Sequence, residues 1–265
     1  MPISLKAAQR VAGCATAYGG LKSSIALFDI NPGTRTWAVP AGVSRIRVFV
    51  VGGGGGGDTR STTPASGAGG GFSEKIIDVT PGQVFSYTVA DGGASGDSSG
   101  SPLPAAGGTS AFAGIISATG GAPGWQTGTA AGGTGVSGDI NRTGGSGFRA
   151  ASGNAGGGSA ATAFGDGRAS ESGFGAGFSR GAFGYVDGWG IGLLPGVLPS
   201  NYGCGSQSVS ATSGAQQVAG YGGGGAGSGT AGPSAVSGGH GGGGAGAGNL
   251  GARGGNGLVG IEVIE

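Results

Sequence analysis

The chain has 265 residues, of which 73 are glycine, and thirteen Lys plus Arg against twelve Asp plus Glu leave a net charge of +1. With so small a charge and no basic run, the clustered cationic footprint of a nucleic-acid binder is excluded, and no apolar stretch is long enough to span a membrane. Two cysteines, Cys14 and Cys204, are too few for a disulfide framework; they read as free thiols, which fits assembly in a reducing cytoplasm.

The first residues, MPISLKAAQRVAGCATA, end in an Ala-Thr-Ala that mimics a cleavage site, but Lys6, Gln9 and Arg10 interrupt any apolar core, so a signal peptide is not expected. Residues 1–33 read as an attachment or oligomerisation segment, with Ile3, Leu5, Val11 and Leu21 as its apolar surface. Within it, Ile25 to Ile30 is a short strand closed by the turn signal Asn31-Pro32-Gly33. Trp37 to Pro40 and Ser44 to Val51 follow as strands. The latter puts Ile46, Val48 and Val50 on one face and Arg45 and Arg47 on the other, read as a solvated strand face.

The chain then leaves through Gly52 to Gly57 and returns through Gly69 to Gly71. Phe72 to Val79 and Val84 to Val89 flank Thr80-Pro81-Gly82-Gln83, with Pro and Gly where a type II turn needs them, which predicts a hairpin. A second polar excursion spans Asp91 to Gly108, and Ser110 to Phe112 and Ile115 to Ala118 read as short strands around Gly114. Leu258 to Ile264 is a strand that must rejoin the earlier ones, since alone it cannot bury its apolar face. About eight short strands suit a β-sandwich.

Between them, residues 120–257 hold 49 glycines in 138 positions. Ordering a residue's backbone costs roughly 1 to 2 kcal/mol, and glycine has no side chain to bury in return, so this tract is either disordered or ordered by backbone contacts. Charged residues make up only 9% of the chain, and Phe, Tyr and Trp run through the tract, which favours order. Collagen is excluded by 11 prolines in all and by runs such as GYGGGGAGSG at 220–229. What remains is a bundle of polyproline-II-type strands, hinted at by glycine triplets at 132, 135 and 138 and at 251, 254, 257 and 260. The expected fold is mainly β: a small sandwich platform (34–119 and 258–265) with a large inserted bundle of glycine-rich polyproline-II-type helices (120–257).

No catalytic, cofactor or metal site emerges. G-x-G-x-x-G arises by accident at this glycine density, and Lys6, Lys22 and Lys75 stand in no phosphate-binding G-K-[ST]. His240 has no Cys or carboxylate near it in sequence and reads as a surface or bundle-end residue. Nothing positions a serine triad, and Asp139, Asp166, Glu171 and Asp187 are scattered singly rather than paired for glycan cleavage. The one stretch that departs from the glycine background is Phe174 to Tyr202, rich in aromatic and aliphatic residues. It reads either as a core or subunit interface, or as an exposed loop gripping a receptor, with Phe183, Tyr185, Trp189 and Tyr202 as contacts. Trp125 and Gln126 form a smaller candidate of the same kind.

Four motifs carry a resemblance: TrpAlaValProAlaGlyVal at 37–43, the ArgValPheValVal-polyglycine exit at 47–57, GlyGlyPheSerGluLysIleIleAspValThrProGlyGln at 70–83, and GlyGlyAsnGlyLeuValGlyIleGluValIle at 254–264. Together they resemble the glycine-rich domain recurrent in bacteriophage tail-fibre and receptor-binding proteins. The resemblance covers 35–121 and the last strand, and the middle by composition only. A similar sandwich-plus-polyglycine arrangement occurs in the extracellular region of some animal receptor tyrosine kinases, so fold alone does not fix function.

The resemblance implies a non-catalytic tail-fibre or tip protein of the virion, assembled in the host cytoplasm. It would bind a bacterial surface receptor, protein or glycan, and other virion proteins, as a homotrimer or a cap on a trimeric fibre. The alternative is a purely structural virion part such as a connector, head fibre or decoration protein. An ice-binding bundle is a third reading, against which the bulky aromatics and the sandwich argue.

Overall fold

A computed structural model of the protein describes residues 23–58, 64–96, 102–124, 128–149, 154–170, 241–244, 246–247 and 250–264. Among these residues the fold is mainly β, without a helix. In chain order the strands are β1 (Ser23–Asp29), β2 (Gly33–Ala38), β3 (Arg45–Val51), β4 (Phe72–Asp78), β5 (Val84–Val89), β6 (Ser110–Phe112), β7 (Ile116–Ala118), β8 (Gly135–Val136), β9 (Ile140–Arg142), β10 (Asn154–Ala155), β11 (Gly246–Ala247), β12 (Leu250–Gly251) and β13 (Leu258–Ile264).

Two five-stranded antiparallel sheets form the platform, one in the order β1-β13-β3-β4-β9 and the other β2-β5-β6-β7-β8. Alternation along the strands explains the core. Ile46, Val48 and Val50 of β3 and Val259, Ile261 and Val263 of β13 point inward from the first sheet, and meet Phe85, Tyr87, Val89, Phe112 and Ile116 from the second. The expected return of Leu258 to Ile264 is realised inside a sheet, between β1 and β3. Ser23–Asp29, within the segment set apart as 1–33, pairs along β13, and Leu27 packs against the core.

The predicted hairpin is present: Gln83 N–H donates to the Thr80 carbonyl at 3.0 Å, and Gly82 takes the positive φ of +82° that a type II turn requires at that position. One triplet expectation is corrected. Gly260 sits inside β13 rather than in the bundle, and the Phe49 ring lies over it, with ring atoms 2.1 Å from where a Cβ would stand. A strand glycine thus makes room for an aromatic on its neighbour.

One cluster around the buried Asp29 ties the sheets where the chain crosses from β1 to β2. Asp29 Oδ2 accepts from Arg35 Nη1 at 3.0 Å and from the Tyr87 hydroxyl at 3.0 Å, while its Oδ1 accepts from Asn31 N–H. Burial, and then the hydrogen bond to Asp29 and its negative charge, push the Tyr87 hydroxyl up to about 12 from an ordinary value of 10. A folded-state pKa above the unfolded one means this contribution is complete below pH 10 and is lost as pH rises from 10 through 12. Thermal melting should therefore fall across that window, and Tyr87→Phe should flatten this part of the fall while costing about 1 kcal/mol at neutral pH. Equal alkaline slopes in both proteins would show that Tyr87 contributes nothing.

Eight strand ends at one end of the sandwich run straight into glycine-rich segments. β3 continues into 52–57, β5 into 91–96, β7 into 119–124 and β9 into 143–148; segments 66–71, 104–108, 130–134 and 252–257 lead into β4, β6, β8 and β13. Hydrogen bonds among them repeat every third residue. Gly52 and Gly55 donate to Gly71 and Ala68, Gly53 and Gly56 to Gly108 and Ala105, and Gly54 and Gly57 to Gly255 and Ala252. The carbonyls of 52–57 accept from three further segments: Gly121 and Gly124 bond Gly53 and Gly56, Gly93 and Gly96 bond Gly54 and Gly57, and Gly244 bonds Gly55.

The six surrounding segments are themselves bonded in a closed ring, 66–71 to 241–244 to 252–257 to 91–96 to 104–108 to 119–124 and back to 66–71. Segment 66–71 is the centre of a second such ring, made by 52–57, 119–124, 130–134, 143–148, 156–161 and 241–244. Six neighbours around a rod is hexagonal packing. It demands glycine: a Cβ on Gly54 would lie 1.8 Å from the Gly242 oxygen, one on Gly56 1.8 Å from the Ala94 oxygen, and one on Gly69 2.0 Å from the Ser159 oxygen. The rows of the bundle continue the sheets, with 91–96, 104–108, 119–124 and 130–134 extending the second sheet and 252–257, 52–57, 66–71 and 143–148 the first.

Candidate functional site: the far end of the bundle

The strand pairing gives the molecule an axis. Ser23 is opposite Ile264, so the beginning of β1 and the end of β13 lie together at the base of the sandwich, with the 80–83 turn. Every bundle segment that leaves the sandwich heads the other way.

At that far end the segments terminate level with one another: Gly57 bonds Ala252, Gly96 and Gly124 bond Gly57 and Gly56, Ser66 bonds Phe148, Gly147 bonds Ala130, and Ser170 bonds Ser146. A small antiparallel sheet, β10-β11-β12, closes one side of this end, pairing Asn154 with Ala247 and Gly246 with Gly251. The described residues that flank 59–63, 97–101, 125–127 and 150–153 all stand here, so the connections between four pairs of neighbouring segments start and finish on one surface. Ser170 also ends here, whereas Gly241 begins at the sandwich end, beside Val51 and Gly52.

Of the residues expected to contact a receptor, Phe183, Tyr185, Trp189 and Tyr202 lie outside the described residues, as do Trp125, Gln126 and His240. Gly124 and Gly128, which flank Trp125 and Gln126, are at the far end. Of the carboxylates weighed for glycan cleavage, Asp139 accepts from the Ile76 N–H in the β8–β9 turn, and Asp166 accepts from the Thr143 N–H where the bundle meets the sandwich. Glu171 and Asp187 lie outside the described residues. Among the described residues no three His, Cys, Asp or Glu side chains are grouped to hold a metal, and no helix is long and apolar enough to cross a membrane.

Charge gathers on the outer face of the first sheet. Arg47 donates to Glu74 at 2.7 Å and to Glu262 at 3.0 Å across three neighbouring strands, and Arg45 donates to Asp78 at 2.7 Å. The hydrogen bond from Arg45, and then its charge, hold the Asp78 carboxyl below its ordinary value. Arg45 is solvated as expected, whereas Arg47 is half-buried, its Nε without a partner. Nearer the bundle the same face turns apolar, where Ala160 and Ala161 cover Val51, Phe72 and Leu258.

What sequence reading missed at this site was the convergence of connections. A signal was available in the similar lengths of the outward runs 52–57 and 91–96 and of the returns 66–71 and 104–108, which place the ends of both excursions at a similar distance from the sheets.

The glycine-rich domain family matches residues 30–264, so the chain belongs to that family. No curated protein matches it.

Proposed function

We propose that the protein is a bacteriophage tail-fibre or tip protein that binds a bacterial surface receptor, without catalysis, through connections held at the far end of a glycine-rich bundle. The observation that carries this reading is the axis: the chain's entry into β1 and exit from β13 lie at the base, and the described residues that flank four connections lie at the opposite end. A protein anchored at its base would thus hold the ends of these connections outward. The three-residue repeat of hydrogen bonds supports a polyproline-II-type bundle, since three residues per turn send successive N–H groups to three different neighbours. Such a bundle restrains the ends of each connection before binding, so less entropy is lost when a receptor is met.

In this reading the base caps a fibre of the virion, the protein is assembled in the host cytoplasm, and Phe183, Tyr185, Trp189 and Tyr202 supply the aromatic contacts. Cell binding by purified protein tests it. Trp189→Ala should keep the melting temperature and weaken cell binding about thirtyfold, the effect of removing a hot spot worth about 2 kcal/mol. Loss of folding or assembly instead would return 174–202 to a buried interface. Unaltered binding would remove Trp189 from the contact, and wild-type protein that binds no cells would leave a structural virion part as the reading.

A further inference from the structure

The two outer faces of the sandwich differ in charge. The first sheet's carries Arg45, Arg47, Glu74, Asp78 and Glu262. The second sheet's carries none. Register places Thr34, Thr88, Ala111, Ser117 and Val136 in one row across all five strands, and the next row pairs Thr36 with Ser86. Their alternates, among them Phe85, Tyr87, Phe112 and Ile116, fill the core, so this row faces out. Thr34, Thr36, Ser86 and Val136 are exposed, and Val84 at the edge of the face is 61% exposed.

The neutral surface does not stop at the sheet. Four bundle segments continue the second sheet in its own plane; the exposed Asp91 that opens the first of them pairs with Arg253 of the neighbouring row, and the described chain from Pro102 to Gly138 contains no Asp, Glu, Lys or Arg. At about 4.8 Å per strand or segment, sheet and bundle together offer on the order of 800 Å². That is about what each partner contributes to a standard protein interface.

We infer that this neutral face binds a second copy of the chain, face to face. A partner surface carrying charge would lose hydration here without gaining a counter-charge. A surface that is flat, uncharged and lined with small hydroxyl and methyl groups fits another of the same kind, and this face is one. A self-complementary patch closes at two copies, so the product is a dimer. The contact leaves both the base and the far end of the bundle free, and it does not depend on what the far end binds.

Sedimentation equilibrium on the full chain tests it. Wild type should pass with concentration from 24.4 kDa to about twice that mass. Thr36→Lys and Ser86→Lys, each burying a charge without a counter-charge in the interface, should raise the dissociation constant at least about 100-fold with melting unchanged. Ile76→Lys, on the other outer face, should leave association as in wild type. Two results overturn the inference: a wild-type chain that stays at 24.4 kDa up to about 100 µM, or an assembly that the Thr36 and Ser86 variants weaken no more than the Ile76 variant does.

Discussion

Gly54→Ala should abolish stable folding although it adds a single methyl group. The new Cβ would stand 1.8 Å from the Gly242 oxygen and 2.3 Å from its carbonyl carbon, and both are backbone atoms of a segment held on its other sides by hydrogen bonds. Relief requires parting the bundle, which would break bonds around the whole first ring. Overpacking a side-chain core costs about 1 to 3 kcal/mol because rotamers can shift. Here there is no rotamer to shift, and a loss above about 4 kcal/mol is expected, a large part of a typical stability of 5 to 15 kcal/mol. Gly128→Ala is the control, since a Cβ there meets nothing within 4 Å, and its melting should match wild type. A folded Gly54→Ala protein with wild-type denaturant midpoint would mean that the 52–57 segment is not packed as described.

Removing the last strand should be as severe. β13 is the second strand of its sheet and the sole described partner of β1; it supplies Val259 and Ile261, both fully buried, and its N-terminal continuation 252–257 is one of the six neighbours of 52–57. Ending the chain before Leu258 exposes one side of β3 and leaves β1 without a ladder, an arrangement that cannot exclude water from the remaining core. The shortened chain should show no cooperative thermal transition. A milder version, Ile261→Ala, should cost about 2 to 5 kcal/mol. Cooperative melting of the truncated protein near the wild-type temperature would refute the central place given to this strand.

The strands were legible because their side chains announce them. Alternation marked Ser44 to Val51 and Leu258 to Ile264, and Pro81-Gly82 marked the hairpin between β4 and β5. Which sheet each strand joins was not legible, since β2 and β3 are neighbours in sequence yet lie in different sheets, and that choice is made by partners far along the chain. The bundle was legible as a composition but not as an arrangement. Gly53 and Gly54 are the same residue, yet one donates to Gly108 and the other to Gly255, and without side chains neither carries a mark of its partner. Strand alternation also hid Gly260, whose role depends on Phe49 across the ladder rather than on a glycine triplet. Aromatic content pointed to 174–202, which lies outside the described residues, while the gathering of Asp58, Gly96, Gly124 and Arg149 at one end follows from the pairing of segments and is invisible to composition.

The claim on which the rest depends is that the glycine segments are ordered by their own backbone bonds, and amide hydrogen exchange on the intact protein measures it residue by residue. Gly53 to Gly57 and Gly67 to Gly71 each donate to a neighbouring carbonyl at the centre of a ring, so their amides should exchange only when the bundle opens as a whole. Protection of about 10⁴ or more is expected, comparable to that of Val48 and Ile261 in the sheet core, because both would require the same global opening. Exchange of these glycines at the rate of an unstructured peptide, while the sheet stays protected, would contradict it.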